Sequence, residues 1–210
     1  MKLYDFAPAP NAQRVTVFLA EKGLKIPTEQ LNVREDAQFA EPFDSMNPFH
    51  CVPFLELDDG TVIAESMSIC RYLEEMHPEP ALFGRSPEQR AIIDMWMRRF
   101  ELDAFMPALH ALRNHLPFFA DRVVPGTRMD LPQLPEMVSR GKEMVDIFLQ
   151  RVEPHMANND FVAGAEFSVA DITAFFSVRM LGALEMDIAA SYPATAKWFE
   201  RISARPAFKL

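Results

Sequence analysis

Residues 47–57 read Asn47-Pro48-Phe49-His50-Cys51-Val52-Pro53-Phe54-Leu55-Glu56-Leu57, and residues 61–66 read Thr61-Val62-Ile63-Ala64-Glu65-Ser66. The first stretch becomes apolar and β-prone before it reaches Asp58-Asp59-Gly60, a combination typical of a hairpin turn. Residues 61–64 then supply the returning strand. The spacing predicts a helix over 67–76, with Ser66 as its N-cap and His77-Pro78 as its stop. We therefore predict an antiparallel hairpin followed by a helix.

The residues before this hairpin predict a βαβα unit. A strand over 2–6 runs into Ala7-Pro8-Ala9-Pro10-Asn11, where two prolines forbid a continued central strand. A helix from Gln13 ends at Lys22-Gly23, and a second strand covers 28–33. Residues 34–46 indicate a loop with a weak helix that Pro42 interrupts. The first 78 residues together predict the order βαβαββα and a mixed sheet.

The rest of the chain has a helical pattern. Residues 79–88 carry proline and glycine but few long apolar residues, which indicates a linker. Apolar residues recur at helical spacing over 89–115 and 134–152, and Ser168 with Asp171 forms an acidic variant of the capping box. The predicted fold class is α/β plus all-α: a domain over 1–78, a linker over 79–88 and an all-helical domain over 89–210.

Composition excludes several function classes. The chain has 210 residues, of which 24% are charged and 49% hydrophobic, and a net charge of −9, so we expect no nucleic-acid partner. Two cysteines cannot form a disulfide framework, and no stretch approaches the roughly 18 apolar residues of a membrane helix. We expect a cytoplasmic protein with no membrane association. Metal-ligand spacing is missing among the five histidines, as are the zincin, Cys-x-x-Cys and glycine-rich phosphate motifs, so no metal site is expected.

Five motifs in register make the chain resemble the cytosolic glutathione transferases over essentially its full length. They are the first turn Ala9-Pro10-Asn11-Ala12-Gln13-Arg14-Val15, the Val52-Pro53 strand start, Glu65-Ser66, the Ser168-x-Ala170-Asp171 cap and the stretch from Trp198 to Pro206. The resemblance is strongest to an atypical, largely microbial class whose first turn reads Ala-Pro-Asn. It implies a thioredoxin-like first domain, glutathione as co-substrate, a small hydrophobic electrophile and a homodimer.

The same resemblance implies a set of glutathione-binding residues. A cis Pro53 would leave the N–H and C=O of Val52 open to pair with an extended tripeptide. Glu65 and Ser66, at a helix start, suit the ammonium and carboxylate of an α-amino acid, although a plain N-cap is the alternative. Gln38 and His50 would hold the glycyl carboxylate. His50 and Cys51 depart from the family pattern, which commonly has glycine and a polar residue there, and a loop histidine and a small strand hydrophobe are the alternatives.

The catalytic donor is predicted to be Asn11. No Ser or Cys precedes Ser45, Tyr4 lies in the predicted first strand and Thr16 lies within the first helix, so the usual hydroxyl or thiol donor is absent. The Asn11 amide and the N–H groups at the helix start remain to stabilise the thiolate. Two alternatives stay open: Asn11 as a simple helix cap, and a water held by a helical-domain side chain. The candidate holders of that water are His110, Arg113, Asn114 and His115.

The electrophile is expected between the domains, against an aromatic and methionine-rich surface that includes Trp96, Phe100, Phe105 and Met106. A plain helical core is the alternative for this stripe. The main prediction is a glutathione transferase. A glutathione-dependent reductase or peroxidase, and a non-catalytic glutathione-binding protein of the same fold, are the alternatives, and disulfide exchange through Cys51 is a further one.

Overall fold

The computed structural model describes residues 1–209, which divide into two compact units. The first unit comprises residues 1–80 together with 125–127, and the second comprises 81–124 and 128–209. The predicted domain boundaries at 78 and 89 stay a prediction.

The first unit is a four-stranded mixed sheet with helices, as predicted. The strand order is β2-β1-β3-β4, with β1 parallel to β2 and antiparallel to β3, and β3 antiparallel to β4. In chain order the elements are β1 Lys2–Asp5, α1 Pro10–Lys22, β2 Thr28–Gln30, α2 Phe43–Met46, β3 Phe54–Glu56, β4 Val62–Ala64 and α3 Ser66–Met76, with a 3-10 turn at Ala37–Phe39.

The core of this unit follows the alternation of the strands. Tyr4, Leu31 and Phe54 form a buried cluster, and the Tyr4 and Phe54 rings stack with centroids 4.7 Å apart. Leu3 and Leu55, which pair across β1 and β3, point to the opposite face of the sheet because successive strand residues alternate. Val15 and Phe18 of α1 and Ile69 and Leu73 of α3 are fully buried, and the two helices contact each other.

Several boundaries differ from the sequence prediction, and three of them lie in the first unit near the predicted site residues. Helix α1 begins at Pro10 rather than Gln13, because proline is favoured at the first helical position, where its missing N–H would have no partner. Strand β2 ends at Gln30 rather than Val33. The N-cap of α3 is Glu65, with φ of +71°, and Ser66 is the first helical residue, so the predicted Ser66 cap is wrong.

The second unit is all-helical, as predicted. Its helices are α4 Pro87–Phe100, α5 Met106–His115, α6 Pro135–Asn158, α7 Val169–Leu181, α8 Ile188–Ser191 and α9 Pro193–Ser203. A π-helical turn at Glu101–Phe105 joins α4 to α5, and its last bond runs from the N–H of Met106 to the carbonyl of Glu101. Pro107 follows, and since it has no N–H to give Asp103, the regular ladder is interrupted there.

Helix α7 forms the centre of the second unit. Every residue of α7 except Arg179 is buried, and α4, α5 and α9 contact it. Its start carries the predicted capping box of Ser168 and Asp171. The Asp171 carboxylate accepts from the N–H of Ser168 at 3.0 Å, the N–H of Val162 at 2.9 Å and Nε1 of Trp198 at 3.0 Å. Burial raises the pKa of Asp171 to about 6, although these three bonds act to lower it.

Candidate glutathione site

The strand pairing of the first unit brings the predicted site residues to one edge of its sheet. Tyr4, near the end of β1, pairs with Phe54 at the start of β3, and Phe54 pairs with Ala64 at the end of β4. The same edge of the sheet therefore carries the start of α1, the Val52-Pro53 bond and the start of α3. The end of β2 lies there too, because Gln30 pairs with Asp5, and it leads into the segment that carries Gln38.

Asn11 is the second residue of α1. The N-cap of this helix is Ala9, which has no capping side chain, and the first i→i−4 bond runs from the N–H of Gln13 to the carbonyl of Ala9. The N–H groups of Asn11 and Ala12 therefore precede the hydrogen-bonded ladder and are available to an anion. Asn11 is not the helix cap, so that alternative for its role is wrong.

Only one of the two polar atoms of the Asn11 side chain has a hydrogen-bond partner among residues 1–209. Its Oδ1 accepts a hydrogen bond from Nη1 of Arg14 at 3.1 Å. Within residues 1–209, its Nδ2 donates to no other residue. An amide nitrogen carries two donors, so Asn11 offers both of them, beside the open N–H groups of the helix start, at the sheet edge.

Val52 presents an open main chain before β3. The Val52–Pro53 bond is cis. Neither the N–H nor the C=O of Val52 bonds to another residue of the described chain, so both can pair with an extended peptide. Buried Asn47 braces the preceding turn: its Nδ2 donates to the carbonyl of Cys51 at 2.8 Å and its Oδ1 accepts from the N–H of Phe49 at 3.2 Å.

Glu65 and Ser66 begin α3 without a side-chain cap. The first i→i−4 bond of the helix runs from the N–H of Ile69 to the carbonyl of Glu65, so the N–H of Ser66 lies ahead of the ladder. Ser66 is buried and Glu65 is exposed. A helix start with a carboxylate beside it can take the two opposite charges of an α-amino acid.

Gln38 and His50 occupy different surroundings. Gln38 is 5% exposed, and its Oε1 has no hydrogen-bond partner among the described residues. His50 has a φ of +50°, its Nε2 lies 2.7 Å from Oδ1 of Asp44, and its ring lies against Phe39 with centroids 4.7 Å apart. The left-handed backbone at His50 explains why a glycine suits this position. The contact with Asp44 leaves only Nδ1 of the ring for another partner.

Residues 125–127 pack against the turn before Val52. Gly126 has a φ of +70°, and a Cβ on it would lie 2.0 Å from the carbonyl oxygen of Phe49 and 3.1 Å from Sγ of Cys51. A residue without a side chain is therefore required at 126. Cys51 is half-buried in this contact and Cys70 is fully buried, and both are free thiols.

Four of the helical-unit residues predicted to hold a water or to line the electrophile surface serve packing or hydrogen bonding. Arg113 Nε donates to the carbonyl of Val123 at 2.9 Å, and Asn114 accepts from the N–H of Leu134 at 2.9 Å. Phe100 and Phe105 are fully buried, and Phe100 packs edge-on against Phe148. The expectation that these two phenylalanines line a surface for the electrophile is wrong, because they belong to the helical core.

Sequence reasoning missed three residues that shape the site: Arg14, Asn47 and Gly126. A charged residue between Gln13 and the buried Val15 was a signal for Arg14, because a cation in a buried position needs a partner. Asn47 before proline was a turn signal. No local signal was available for Gly126, because its contact joins residues more than 70 positions apart in the chain.

Residues 1–209 contain neither a metal-binding cluster nor a membrane-spanning helix. Over residues 1–209, no cluster of three or more His, Cys, Asp or Glu side chains is arranged to hold a metal ion. In the same range, no helix combines the length and apolar character needed to cross a bilayer.

The fold and the site edge define a protein with a thioredoxin-like domain and an all-helical domain. The family profile for the glutathione S-transferase N-terminal domain matches residues 9–76, and that for the C-terminal domain matches residues 117–206. The chain therefore belongs to the cytosolic glutathione S-transferase superfamily.

Individual relatives are similar to this chain over its whole length. A glutathione S-transferase of class Gtt2 from Vibrio parahaemolyticus is 35% identical, with a TM-score of 0.84 over 100% of this chain and 96% of its own. A glutathione S-transferase domain-containing protein from Marinobacter aquaeolei VT8 is 33% identical, with a TM-score of 0.88 over 100% of both chains. Glutathione S-transferase 2 of Saccharomyces cerevisiae is 28% identical over 100% of this chain and 88% of its own length. These relatives support a glutathione-dependent activity.

Proposed function

We propose that the protein is a glutathione transferase in which Asn11 stabilises the glutathione thiolate for attack on a small hydrophobic electrophile. The observation that carries this proposal is the Asn11 amide, whose oxygen is held by Arg14 while its nitrogen has no hydrogen-bond partner among the described residues. It stands at a helix start whose own N–H groups are open. All of these donors favour an anion over a neutral thiol.

A hydrogen bond and a helix N-terminus together supply enough free energy to lower the thiol pKa of glutathione by about two units. A free thiol has a pKa of about 8.5 and is only a few per cent thiolate at neutral pH. Lowering that pKa by about two units needs about 2.7 kcal/mol of preferential stabilisation of the anion. A hydrogen bond to a charged group supplies about 1.5–3 kcal/mol and a helix N-terminus about 0.3–1 kcal/mol.

In this proposal the other residues bind the tripeptide. The main chain of Val52, before Pro53, pairs with the cysteinyl residue, and Glu65 and Ser66 hold the γ-glutamyl amino acid end. Gln38 and His50 are assigned to the glycyl carboxylate. The unpartnered buried oxygen of Gln38 cannot itself accept from a carboxylate, so its amide nitrogen would be the donor. Asp44 competes for His50, which makes Gln38 the stronger contributor.

We further propose a homodimer in the cytoplasm. Support comes from apolar side chains that α4 and the following turn leave exposed, at Ile92, Met95 and Leu102, because exposed apolar clusters commonly mark protein interfaces. Free cysteines suit a reducing compartment. Light scattering after gel filtration tests the dimer, with a monomer mass at micromolar concentration contradicting it.

Calorimetric titration with glutathione in buffers of different ionisation enthalpy tests the main proposal. We expect binding with release of a proton near neutral pH, because a site that favours the thiolate must discharge the thiol proton. Asn11→Ala should bind glutathione with little proton release. Binding without release by the unaltered protein would support a non-catalytic binding protein instead, and an absence of binding would contradict the proposed site.

A further inference from the structure

Arg14 is a buried cation close to the start of α1. The residue is 2% exposed, and its Nη1 donates to Oδ1 of Asn11 at 3.1 Å. Arginine is almost never this buried without a specific partner. Its position also opposes the usual electrostatic preference, because the N-terminal end of a helix is positive and favours anions. A positive charge retained there is suited to a site that receives an anion.

The chemistry of the two side chains settles how the Asn11 amide is turned. A guanidinium has five N–H donors and no acceptor, so only the oxygen of the amide can face it. The amide nitrogen must then point away from Arg14. Without Arg14 the amide could rotate and present its oxygen to the sulfur, and an oxygen would repel a thiolate instead of stabilising it.

The charge of Arg14 also reaches a sulfur atom in the protein itself. Burial raises the pKa of the Cys70 thiol to about 12, and the positive charge of Arg14 is the largest influence that acts in the opposite direction. Cys70 lies in α3, the helix that packs beside α1. With a pKa of about 12, Cys70 nevertheless stays a neutral thiol at neutral pH, so the charge of Arg14 alone does not produce a thiolate at a buried sulfur.

We propose that Arg14 is a positioning residue that orients the Asn11 amide, with its nitrogen directed at the glutathione sulfur. This inference rests on the proposed function of Asn11 and deepens it. Arg14 also polarises the amide, because a charged donor at the oxygen strengthens the hydrogen bonds that the nitrogen makes. Arg14 acts through Asn11 and does not touch the sulfur.

The test measures the thiol pKa of bound glutathione, from the ultraviolet absorbance of the thiolate as a function of pH. Arg14→Gln and Arg14→Lys are compared with Asn11→Ala and with the double variants. We expect Arg14→Gln to raise the thiol pKa by about one unit and to lower kcat/KM about tenfold below that pKa, with KM for glutathione little changed. Arg14→Lys should recover part of the effect, because an ammonium can still donate to Oδ1.

The decisive comparison is the double variant. If Arg14 acts through Asn11, replacing Arg14 in the Asn11→Ala background should leave the thiol pKa unchanged. Lys22→Met is the matched control: Lys22 is another buried cation of α1, but it donates to the carbonyls of His77 and Pro80. This control should lower stability without moving the thiol pKa. Thermal unfolding of each variant checks folding, and Arg14→Lys keeps the test usable if Arg14→Gln does not fold.

Two results would overturn the inference and leave the proposed function intact. One is that replacing Arg14 raises the thiol pKa equally in the unaltered protein and in the Asn11→Ala variant, which would mean that Arg14 acts by its charge alone. The other is no change in the Arg14 variants while Asn11→Ala raises the pKa. A thiol pKa unmoved by Asn11→Ala would instead remove the proposed donor, and this inference with it.

Discussion

The helix starts of the two units differ in how their N–H groups are satisfied. Helix α7 begins with a capping box, and Asp171 accepts four buried hydrogen bonds. The N-caps of α1 and α3 are Ala9 and Glu65, and neither supplies a side-chain cap. The first arrangement is closed and buried, and the second is open at the edge of a sheet.

We expect the two kinds of helix start to serve different properties: the closed start serves folding stability, and the open starts serve ligand binding. A closed helix start has all its polar groups paired, so its removal costs folding free energy. An open start leaves N–H groups for a ligand, so changes there should affect binding and thiol ionisation more than folding. A missing cap alone is not diagnostic, because α6 also begins without one. The meeting of two open starts at one sheet edge is what distinguishes the first unit.

The largest expected effect comes from breaking the closed start. Asp171→Ala would leave the N–H groups of Val162 and Ser168 and Nε1 of Trp198 buried without acceptors. We expect a loss of about 3–5 kcal/mol in the free energy of unfolding, measured by urea denaturation. Asp187→Ala is the matched control, since Asp187 caps the exposed helix α8 through the N–H of Ala190. That control should cost only about 1 kcal/mol, and equal losses would remove the distinction.

The next largest effect tests the open start of α1. Asn11→Asp keeps the shape of the side chain and an acceptor for Arg14, but replaces two N–H donors with negative charge. We expect kcat/KM for a glutathione conjugation assay to fall about 100-fold or more, because a carboxylate raises the thiol pKa. Asn11→Ala should lose about 10- to 100-fold. If the Asn11 variants keep a folding free energy close to that of the unaltered protein, the open start serves binding and not stability. If they also keep its kcat/KM, the proposed role of Asn11 is contradicted.

The pH dependence of the unfolding free energy should reflect the titration of Asp171 at the closed start of α7. The pKa of Asp171 is raised to about 6 in the folded protein, above its ordinary value of 3.8, so the folded state holds this proton more tightly than the unfolded state does. Its stabilising contribution is therefore complete below about pH 4 and is lost as the pH rises through about 6, by about 3 kcal/mol at most. Unfolding free energies measured from pH 4 to 7 should show this loss relative to Asp171→Asn, and parallel curves would contradict it.

A smaller effect is expected at the turn beside Val52. Gly126→Ala would place a Cβ 2.0 Å from the carbonyl oxygen of Phe49, whereas Gly23→Ala, at nearly the same φ, meets no atom within 4 Å. Both should lose about 1–2 kcal/mol of stability from the left-handed backbone. Gly126→Ala should lose more, because the turn at Phe49 must shift to make room for the Cβ. Only Gly126→Ala should also raise KM for glutathione, by about threefold to tenfold. An identical KM in the two variants would show that residues 125–127 do not shape the site.

The smallest effect tests the open start of α3. Ser66→Ala removes a hydroxyl that is predicted to bind the γ-glutamyl carboxylate but leaves the main-chain N–H in place. We expect KM for glutathione to rise about threefold to tenfold with kcat unchanged, because one hydrogen bond of ground-state binding is lost. Since Ser66 is not the N-cap, stability should change by less than about 0.5 kcal/mol. A fall in kcat would contradict a role confined to binding.

Local patterns were sufficient to predict the order of elements. The Asp58-Asp59-Gly60 turn, the Gly23 stop and the Ser168–Asp171 box each act over a few residues, and the hairpin, α1 and α7 follow from them. Element limits were less accessible. Strand β2 is shorter than its apolar pattern. The residues around Pro10 predict a turn where α1 begins, because proline is favoured both in turns and at the first position of a helix.

The contacts that shape the site could be predicted only in part. The sequence order places Asn11, Val52 and Ser66 after or before strands, and strand pairing alone brings them to one edge. The hydrogen bond from Arg14 to Asn11 depends on side-chain direction, and the packing of Gly126 on Phe49 depends on long-range chain path. Neither leaves a periodic signal. The left-handed backbone of His50 was likewise hidden, because histidine gives no sign of it.

The π-helical turn at Glu101–Phe105 has a consequence for how this chain tolerates changes in length. A π turn holds one residue more than the α-helical turn it replaces, so deletion of one residue there would restore regular geometry and keep the flanking helices in phase. A one-residue deletion in α7 would instead rotate every later residue of that helix by about 100° and drive buried side chains out of the core. In evolutionary terms, the turn is a place where the gene can lose a codon while the fold persists.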